Sequence, residues 1–170
     1  DEIHADLVLA PSRFTPFATV ADGTGVRWVA LHGPIKTFGV AGLCETLIVA
    51  GDAEVAGAFA AESRRLHLAR KNVFGVAAWI AGYRNGGEWL DGLLETVAAN
   101  VALLRRDLPD PLLLVEPEAT YLAWLDLRGL GLDVPQLADW LAAEAGLALS
   151  PGHWFGREGA GFARMSIGVD

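Results

Sequence analysis

The chain has 170 residues, of which 52% are apolar and 20% are charged, a composition typical of a folded globular protein. A net charge of −8 argues against a nucleic-acid partner, which would need a basic surface. No apolar stretch reaches membrane-spanning length, and the first residues do not resemble a signal peptide. The single cysteine, Cys44, excludes an internal disulfide and suits a cytoplasmic compartment.

The first half of the chain alternates between predicted strands and helices. Apolar and β-favouring residues predict strands at Val26–His32 and Thr46–Ala50. Asp52 then offers an N-cap for a helix over residues 53–67. The segment Val73–Tyr83 is apolar on nearly all sides, which predicts a buried helix. We therefore expect a buried parallel-sheet layer in this part of the chain.

The second half begins with a long predicted helix over residues 88–108. Apolar residues at three- and four-residue spacings form its stripe, namely Leu90, Leu93, Leu94, Val97, Val101 and Leu104. Asp133 and Pro135 predict the start of a later helix. Strands are predicted at 112–115, 121–127, 147–150 and 162–167. The alternation favours an α/β or α+β architecture, divided at about residue 100 into a larger part and a smaller lobe.

Lys36 is the first candidate for chemistry, because arginine outnumbers lysine eleven to two in this chain. Either residue can supply a charge, but only lysine supplies a reactive amine. The neighbours of Lys36 are small or apolar, and glycines at 33, 39 and 42 would let the backbone pass close to a ligand. Lys36 is either a solvated residue of a surface loop or a nucleophilic amine that forms a Schiff base.

The opening segment, Asp-Glu-Ile-His-Ala-Asp, is a second candidate. A metal site built from Asp1, His4 and Asp6 matches no zinc spacing that we can justify, so we expect no metal. Two other interpretations remain. The segment is either a polar strand end, or it places Asp1 against a cofactor nitrogen.

Arg164 is a lone charge in an alternating strand, so it either pairs with a buried carboxylate or receives an anionic ligand. The local sequence alone slightly favours the structural pair. His153 and Trp154 line a pocket or belong to a packed turn. Cys44 is interpreted as a small buried hydrophobe, and His32 has no identifiable partner.

Five segments, taken in order, resemble the second half of a class I/II aminotransferase-fold enzyme, closest to the cystathionine β-lyase or cysteine-S-conjugate β-lyase branch. They read Asp-Glu-Ile-His-Ala-Asp-Leu (1–7), Lys-Thr-Phe-Gly-Val-Ala-Gly-Leu (36–43), Ala-Thr-Tyr-Leu-Ala-Trp-Leu-Asp-Leu-Arg (119–128), Leu-Ser-Pro-Gly-His-Trp-Phe-Gly (149–156) and Gly-Phe-Ala-Arg (161–164). The resemblance implies the α/β fold of type I pyridoxal-phosphate (PLP) enzymes. Residues 1–100 would end the PLP-binding large domain, and residues 101–170 would form part of the small α+β domain.

The resemblance also implies site roles. Lys36 would attach PLP as a Schiff base, and Asp1 would pair with the pyridinium nitrogen so that the ring acts as an electron sink. His4 would lie near the ring, and Arg164 would bind the α-carboxylate of an amino-acid substrate. The protein would be a cytoplasmic homodimer with no membrane or nucleic-acid partner.

The segment before Lys36 departs from the family, because the hydroxyl residues that help to hold the phosphate are replaced by His32, Gly33, Pro34 and Ile35. The first hypothesis for the whole protein is a PLP-dependent carbon–sulfur β-lyase. The alternatives are an aminotransferase with the same parts and a non-catalytic remnant of the fold. We interpret the chain as a piece of a longer protein and expect it to be inactive by itself.

Overall fold

The computed structural model describes residues 1–43, 45–68 and 70–169, so the interpretation of Cys44 lies outside the described residues. The chain divides into two units, Asp1–Gly92 and Leu93–Asp170. The helices are α1 (Phe17–Ala21), α2 (Ala53–Arg65), α3 (Val73–Asn85), α4 (Gly87–Asp107) and α5 (Val134–Ala143). The strands are β1 (Val29–His32), β2 (Leu47–Ala50), β3 (Leu113–Val115), β4 (Leu122–Asp126), β5 (Ser150–Pro151) and β6 (Phe162–Ser166). No helix of the described residues is long and apolar enough to cross a membrane.

In the first unit, β1 and β2 form an antiparallel pair whose register runs from Val29 opposite Ala50 to His32 opposite Leu47. The prediction of a parallel layer is therefore wrong for these two strands. A parallel pair needs a crossover that returns the chain to the same end of the sheet, commonly through a helix, whereas the described residues between β1 and β2 form turns and the 3₁₀ turn Ala41–Leu43. This connection carries Lys36.

The two helices that follow begin where the sequence predicts. The Asp52 carboxylate accepts a hydrogen bond of 2.8 Å from the Val55 N–H and caps α2. The burial predicted for α3 is wrong, since Val73 and Phe74 remain 72% and 73% exposed. An apolar helix surface becomes buried only where another part of the chain packs against it. Among the described residues, the contacts of α3 lie on the side of its glycines; Gly75, for example, lies against Glu45.

The second unit is built on a four-stranded antiparallel sheet with the order β3-β4-β6-β5. The predicted strand at 147–150 is reduced to Ser150–Pro151, and the strand at 162–167 is observed as Phe162–Ser166. α5 begins with a capping box in which Asp133 and Gln136 exchange side-chain and backbone hydrogen bonds, as the Asp-Val-Pro start predicts. One buried apolar cluster of this unit contains Leu125, Leu127, Leu137, Leu141 and Ala163.

The two faces of this sheet differ in character. Leu125 on β4 and Ala163 on β6 are buried in the core with α5. The alternate positions, Trp124, Phe162 and Arg164, are half-buried and lie on the other face because successive side chains point to opposite sides of a strand. The sheet therefore uses one face for packing and presents an arginine among aromatic rings on the other.

Candidate functional site

Lys36 lies in the turn that follows β1, and its side chain is half-buried. Two backbone hydrogen bonds span it, from the Phe38 N–H to the Pro34 carbonyl at 2.9 Å and from the Val40 N–H to the Ile35 carbonyl at 3.1 Å. Among the described residues, Lys36 makes no ion pair with a carboxylate. The structure therefore presents this amine on a hydrogen-bonded turn, without an acidic partner among those residues.

The residue after Lys36 is held by a polar cluster that the sequence did not reveal. Thr37 is completely buried, and its hydroxyl donates a hydrogen bond of 2.8 Å to Asp6 Oδ2. The Tyr83 hydroxyl, on α3, donates to the same oxygen at 2.7 Å and lies 3.2 Å from His32 Nε2. Burial, together with the hydrogen bond and charge of Asp6, raises the pKa of Tyr83, so the phenol remains a donor. Asp6, Thr37, Tyr83 and His32 are called the Asp6 cluster below.

Phe38 anchors the same turn to α3 through ring packing. Its ring lies edge-on to Tyr83, with centroids 5.4 Å apart, and 5.8 Å from the ring of Trp89. A Cβ added to Gly82 would come within 2.7 Å of the Phe38 ring, and one added to Gly86 within 2.5 Å. The helix therefore approaches the turn closely because these two positions lack side chains, and the turn is fixed by both polar and apolar contacts.

Glycine is required at position 33 for a reason that differs from the predicted approach to a ligand. A Cβ at this position would lie 2.8 Å from the carbonyl oxygen of Glu45. The close approach seen here is thus to the backbone of the chain itself. Gly39, by contrast, has a φ of +66°, the left-handed conformation that glycine adopts without strain.

Asp1 and His4 lie in the turn segment that opens the chain. Asp1 is exposed, and its Oδ1 accepts a hydrogen bond of 3.1 Å from the Ile3 N–H, while His4 is half-buried. The Glu2 N–H donates to the Leu31 carbonyl at 2.7 Å, which joins this segment to β1. The bond between Asp6 and Thr37 then connects the opening segment to the Lys36 turn, which follows β1. The three predicted cofactor residues of the first unit therefore lie on two directly bonded segments.

Arg164 belongs to the second unit, on β6 between Trp124 of β4 and Ser150 of β5. Its guanidinium carbon lies 4.4 Å from the centre of the Phe155 ring, which gives a cation–π contact. No carboxylate of the described residues pairs with it. Of the two interpretations of Arg164, the internal ion pair therefore has no support among those residues.

Other candidates have structural explanations. Among the described residues, no group of three or more acidic, histidine or cysteine side chains could hold a metal. His32, for which the sequence suggested no partner, lies beside Tyr83 in the Asp6 cluster. Trp154 is 69% exposed, whereas Gly152 in the same turn is buried against the Gly159 backbone, so this segment is a packed turn with exposed rings.

A cavity of about 460 Å³ lies between β2 and α2, and it involves none of the predicted site residues. Its walls include Leu47, Ile48, Val55 and Phe59, with Lys71 and the buried Glu45 at one end. Lys71 Nζ lies 3.9 Å from Glu45 Oε2, and the Asn72 N–H donates a hydrogen bond of 2.8 Å to Glu45 Oε1. Glu45 thus accepts a hydrogen bond from the residue that caps the start of α3. The apolar walls of the cavity favour a packing surface over a reactive site.

The sequence and fold match known PLP proteins. The model of the family "aminotransferase class I and II" matches residues 1–170. Cystathionine β-lyase PatB of Bacillus subtilis (strain 168) is 36% identical over 99% of this chain and 44% of PatB. The chain thus spans less than half the length of this relative.

Two crystal structures extend the comparison. A PLP-bound protein of Clostridium difficile 630 superposes with a TM-score of 0.92 at 31% identity, over 99% of this chain and 44% of that protein. The PLP-bound C–S lyase of Staphylococcus hominis superposes with a TM-score of 0.85 at 26% identity, also over 99% and 44%. These matches confirm the predicted fold and the resemblance to the cystathionine β-lyase branch. The chain therefore belongs to the aminotransferase class I and II family.

Proposed function

We propose that the whole protein is a PLP-dependent carbon–sulfur β-lyase that converts cysteine S-conjugates to a thiol, pyruvate and ammonia. The observation that carries the proposal is a lysine on an anchored turn, Lys36, in a chain 36% identical to a cystathionine β-lyase. The likeness to a C–S lyase structure supports the same branch. A cytoplasmic homodimer acting on a small amino acid belongs to the same proposal.

The first unit has residues that fit PLP. The amine of Lys36 has no acidic partner among the described residues, so it is available for covalent attachment. The Asp1 carboxylate is exposed, and it is the acceptor needed to hold a proton on a pyridine nitrogen. His4 supplies a half-buried imidazole in the same segment. The segment before Lys36 has no hydroxyl, so the phosphate would be bound by other groups.

Lys36 would carry the proton transfers. When bound, PLP supplies an electron sink that stabilises negative charge at the substrate Cα. With the amino-acid substrate bound, the Lys36 amine would act as a general base and take the Cα proton. The Cβ–S bond breaks with its electron pair on sulfur, and the thiolate leaves as the thiol after protonation. The three-carbon remainder is hydrolysed to pyruvate and ammonia.

Arg164 would bind the substrate carboxylate in this scheme. A guanidinium offers two parallel N–H donors that match a carboxylate, and the cation–π contact with Phe155 orients its plane. Anchoring the carboxylate restricts rotation of the amino acid, which favours reaction at Cα.

Product analysis of the full-length protein tests the function. Incubation with cystathionine or an S-alkyl cysteine should release pyruvate, and Lys36→Ala should abolish this release. Arg13→Ala, at an exposed arginine before α1, serves as a surface control that should retain pyruvate release. Amino transfer to a keto acid without pyruvate would instead identify an aminotransferase, and the absence of both reactions would favour a non-catalytic remnant.

A further inference from the structure

The Asp6 cluster joins three parts of the first unit at one carboxylate oxygen. Asp6 lies 31 residues before Thr37 and 77 residues before Tyr83, yet Oδ2 accepts hydrogen bonds from both hydroxyls. A carboxylate that accepts two short hydroxyl bonds is a strong anchor, because charge-assisted hydrogen bonds are about twice as strong as neutral ones. The cluster therefore fixes the opening segment, the Lys36 turn and α3 to each other.

We propose that Asp6, Thr37 and Tyr83 are positioning residues for Lys36, which they hold in place through the backbone of Thr37. The proposal rests on the proposed function, in which the Lys36 amine attaches PLP and moves the Cα proton. None of these three residues is required to touch the reacting atoms.

The geometry gives a physical reason for this role. A lysine side chain has four rotatable bonds, so the position of its amine is defined only when its Cα is fixed. Thr37 is completely buried and bonded, and Phe38 is packed against α3, so the two residues after Lys36 have little freedom. Reacting groups held within fractions of an ångström react much faster than loosely placed ones. The cluster supplies that restriction where the turn has no helix or strand of its own.

The test compares three threonine variants in the full-length protein loaded with PLP. Thr37→Val removes the hydroxyl and keeps the shape of the side chain, whereas Thr37→Ser keeps the hydroxyl. Thr24→Val is the matched control, because Thr24 donates a hydrogen bond of 2.7 Å to the Ala21 carbonyl in the loop after α1. Turnover should fall about tenfold in Thr37→Val with KM within about twofold, because a loosened base slows the chemical step without weakening substrate binding.

A second readout reports on the turn without any turnover. The N–H groups of Phe38 and Val40 close the turn around Lys36. In Thr37→Val, hydrogen–deuterium exchange of residues 34–40 should accelerate about tenfold, and Thr37→Ser should restore the slow exchange and the turnover. Tyr83→Phe keeps the ring packing and removes only the second donor, so it should lower turnover about threefold; it tests the proposal if Thr37→Val does not fold.

The outcomes separate this inference from the function on which it rests. Wild-type turnover and exchange in both Thr37→Val and Tyr83→Phe would overturn the inference while leaving the function intact. Equal damage in Thr37→Ser and Thr37→Val would also overturn it, because the methyl group and not the hydroxyl would then matter. If wild-type protein carries no PLP on Lys36, the function itself fails, and borohydride labelling of wild type detects this independently of the variants.

Discussion

The Lys36 turn and the Arg164 strand are held in place by different means. The turn depends on single side chains from distant parts of the sequence, with Thr37 bonded to Asp6 and Phe38 packed on α3. The strand β6 is paired on both sides, with β4 and β5, and one of its faces lies on an apolar core. Removing one hydroxyl can therefore loosen the turn, whereas the strand should tolerate the loss of any single polar contact.

The two kinds of support would suit the roles proposed for Lys36 and Arg164. A lysine that forms and gives up a covalent bond must move its amine, and a turn held by a few strong contacts can fix the lysine Cα while the side chain moves. A residue that only binds a carboxylate needs a rigid mount, and sites on strands are more precise than sites on loops. The following three substitutions test this comparison in the unit that contains β6.

Leu137→Ala should have the largest effect on stability. Leu137 is only 6% exposed in the core beneath the sheet, so truncation should cost about 3 kcal/mol of unfolding free energy through lost burial and a cavity. Leu113→Ala is the matched control on β3, where the side chain is 59% exposed, and it should cost about 0.5 kcal/mol. Chemical denaturation of the full-length protein measures both, and equal losses would contradict the proposed support of β6 by its core.

Arg164→Lys should weaken substrate binding and leave the cofactor in place. Lysine keeps the charge but loses the planar pair of donors, so KM should rise roughly thirty-fold, or about 2 kcal/mol, with unchanged cofactor absorbance. Arg106→Lys, at an exposed ion pair with Asp107 on α4, is the control for the same chemical change. Steady-state kinetics with an S-alkyl cysteine would reject the role of Arg164 if KM stayed at the wild-type value.

Arg128→Ala, which removes the ion pair with Asp126, should have the smallest effect on stability, and that effect should depend on pH. The hydrogen bond from Arg128 lowers the pKa of Asp126, so the pair stabilises the folded protein above the unfolded carboxyl pKa of about 3.9. That contribution is lost as the pH falls through the lowered folded pKa. Arg128→Ala should therefore destabilise the protein at neutral pH and approach wild type in acid; a difference independent of pH would contradict this account.

The fold was predictable where the signals are local. The Asp52 and Asp133 caps and the apolar stripe of α4, with Val97 and Val101 buried, all appear where the sequence indicates. Strand pairing and the exposure of α3 were not predictable, because both depend on which elements meet in space. The apolar sequence of Val73–Asn85 indicates what the helix can bury and not what covers it.

The site was predictable only in part, for the same reason. Lys36 was singled out from its local sequence, and the roles of Lys36, Asp1, His4 and Arg164 remain predictions of the family resemblance. The Asp6 cluster could not be predicted, because Tyr83 comes from a helix far along the chain and no local pattern indicates its partner. The order Lys-Thr-Phe was the available sequence signal for an anchored turn, because Thr37 bonds to Asp6 and Phe38 packs against Tyr83.

The most direct test of the account is the identity of the lysine that carries PLP. The full-length protein loaded with PLP should be reduced with borohydride, digested and mapped by mass spectrometry. Lys71, which lies 3.9 Å from the Glu45 carboxylate, serves as the internal control because it is the other lysine of the chain. The account predicts the label on Lys36 alone; a label on Lys71, or no label in this chain, would contradict it.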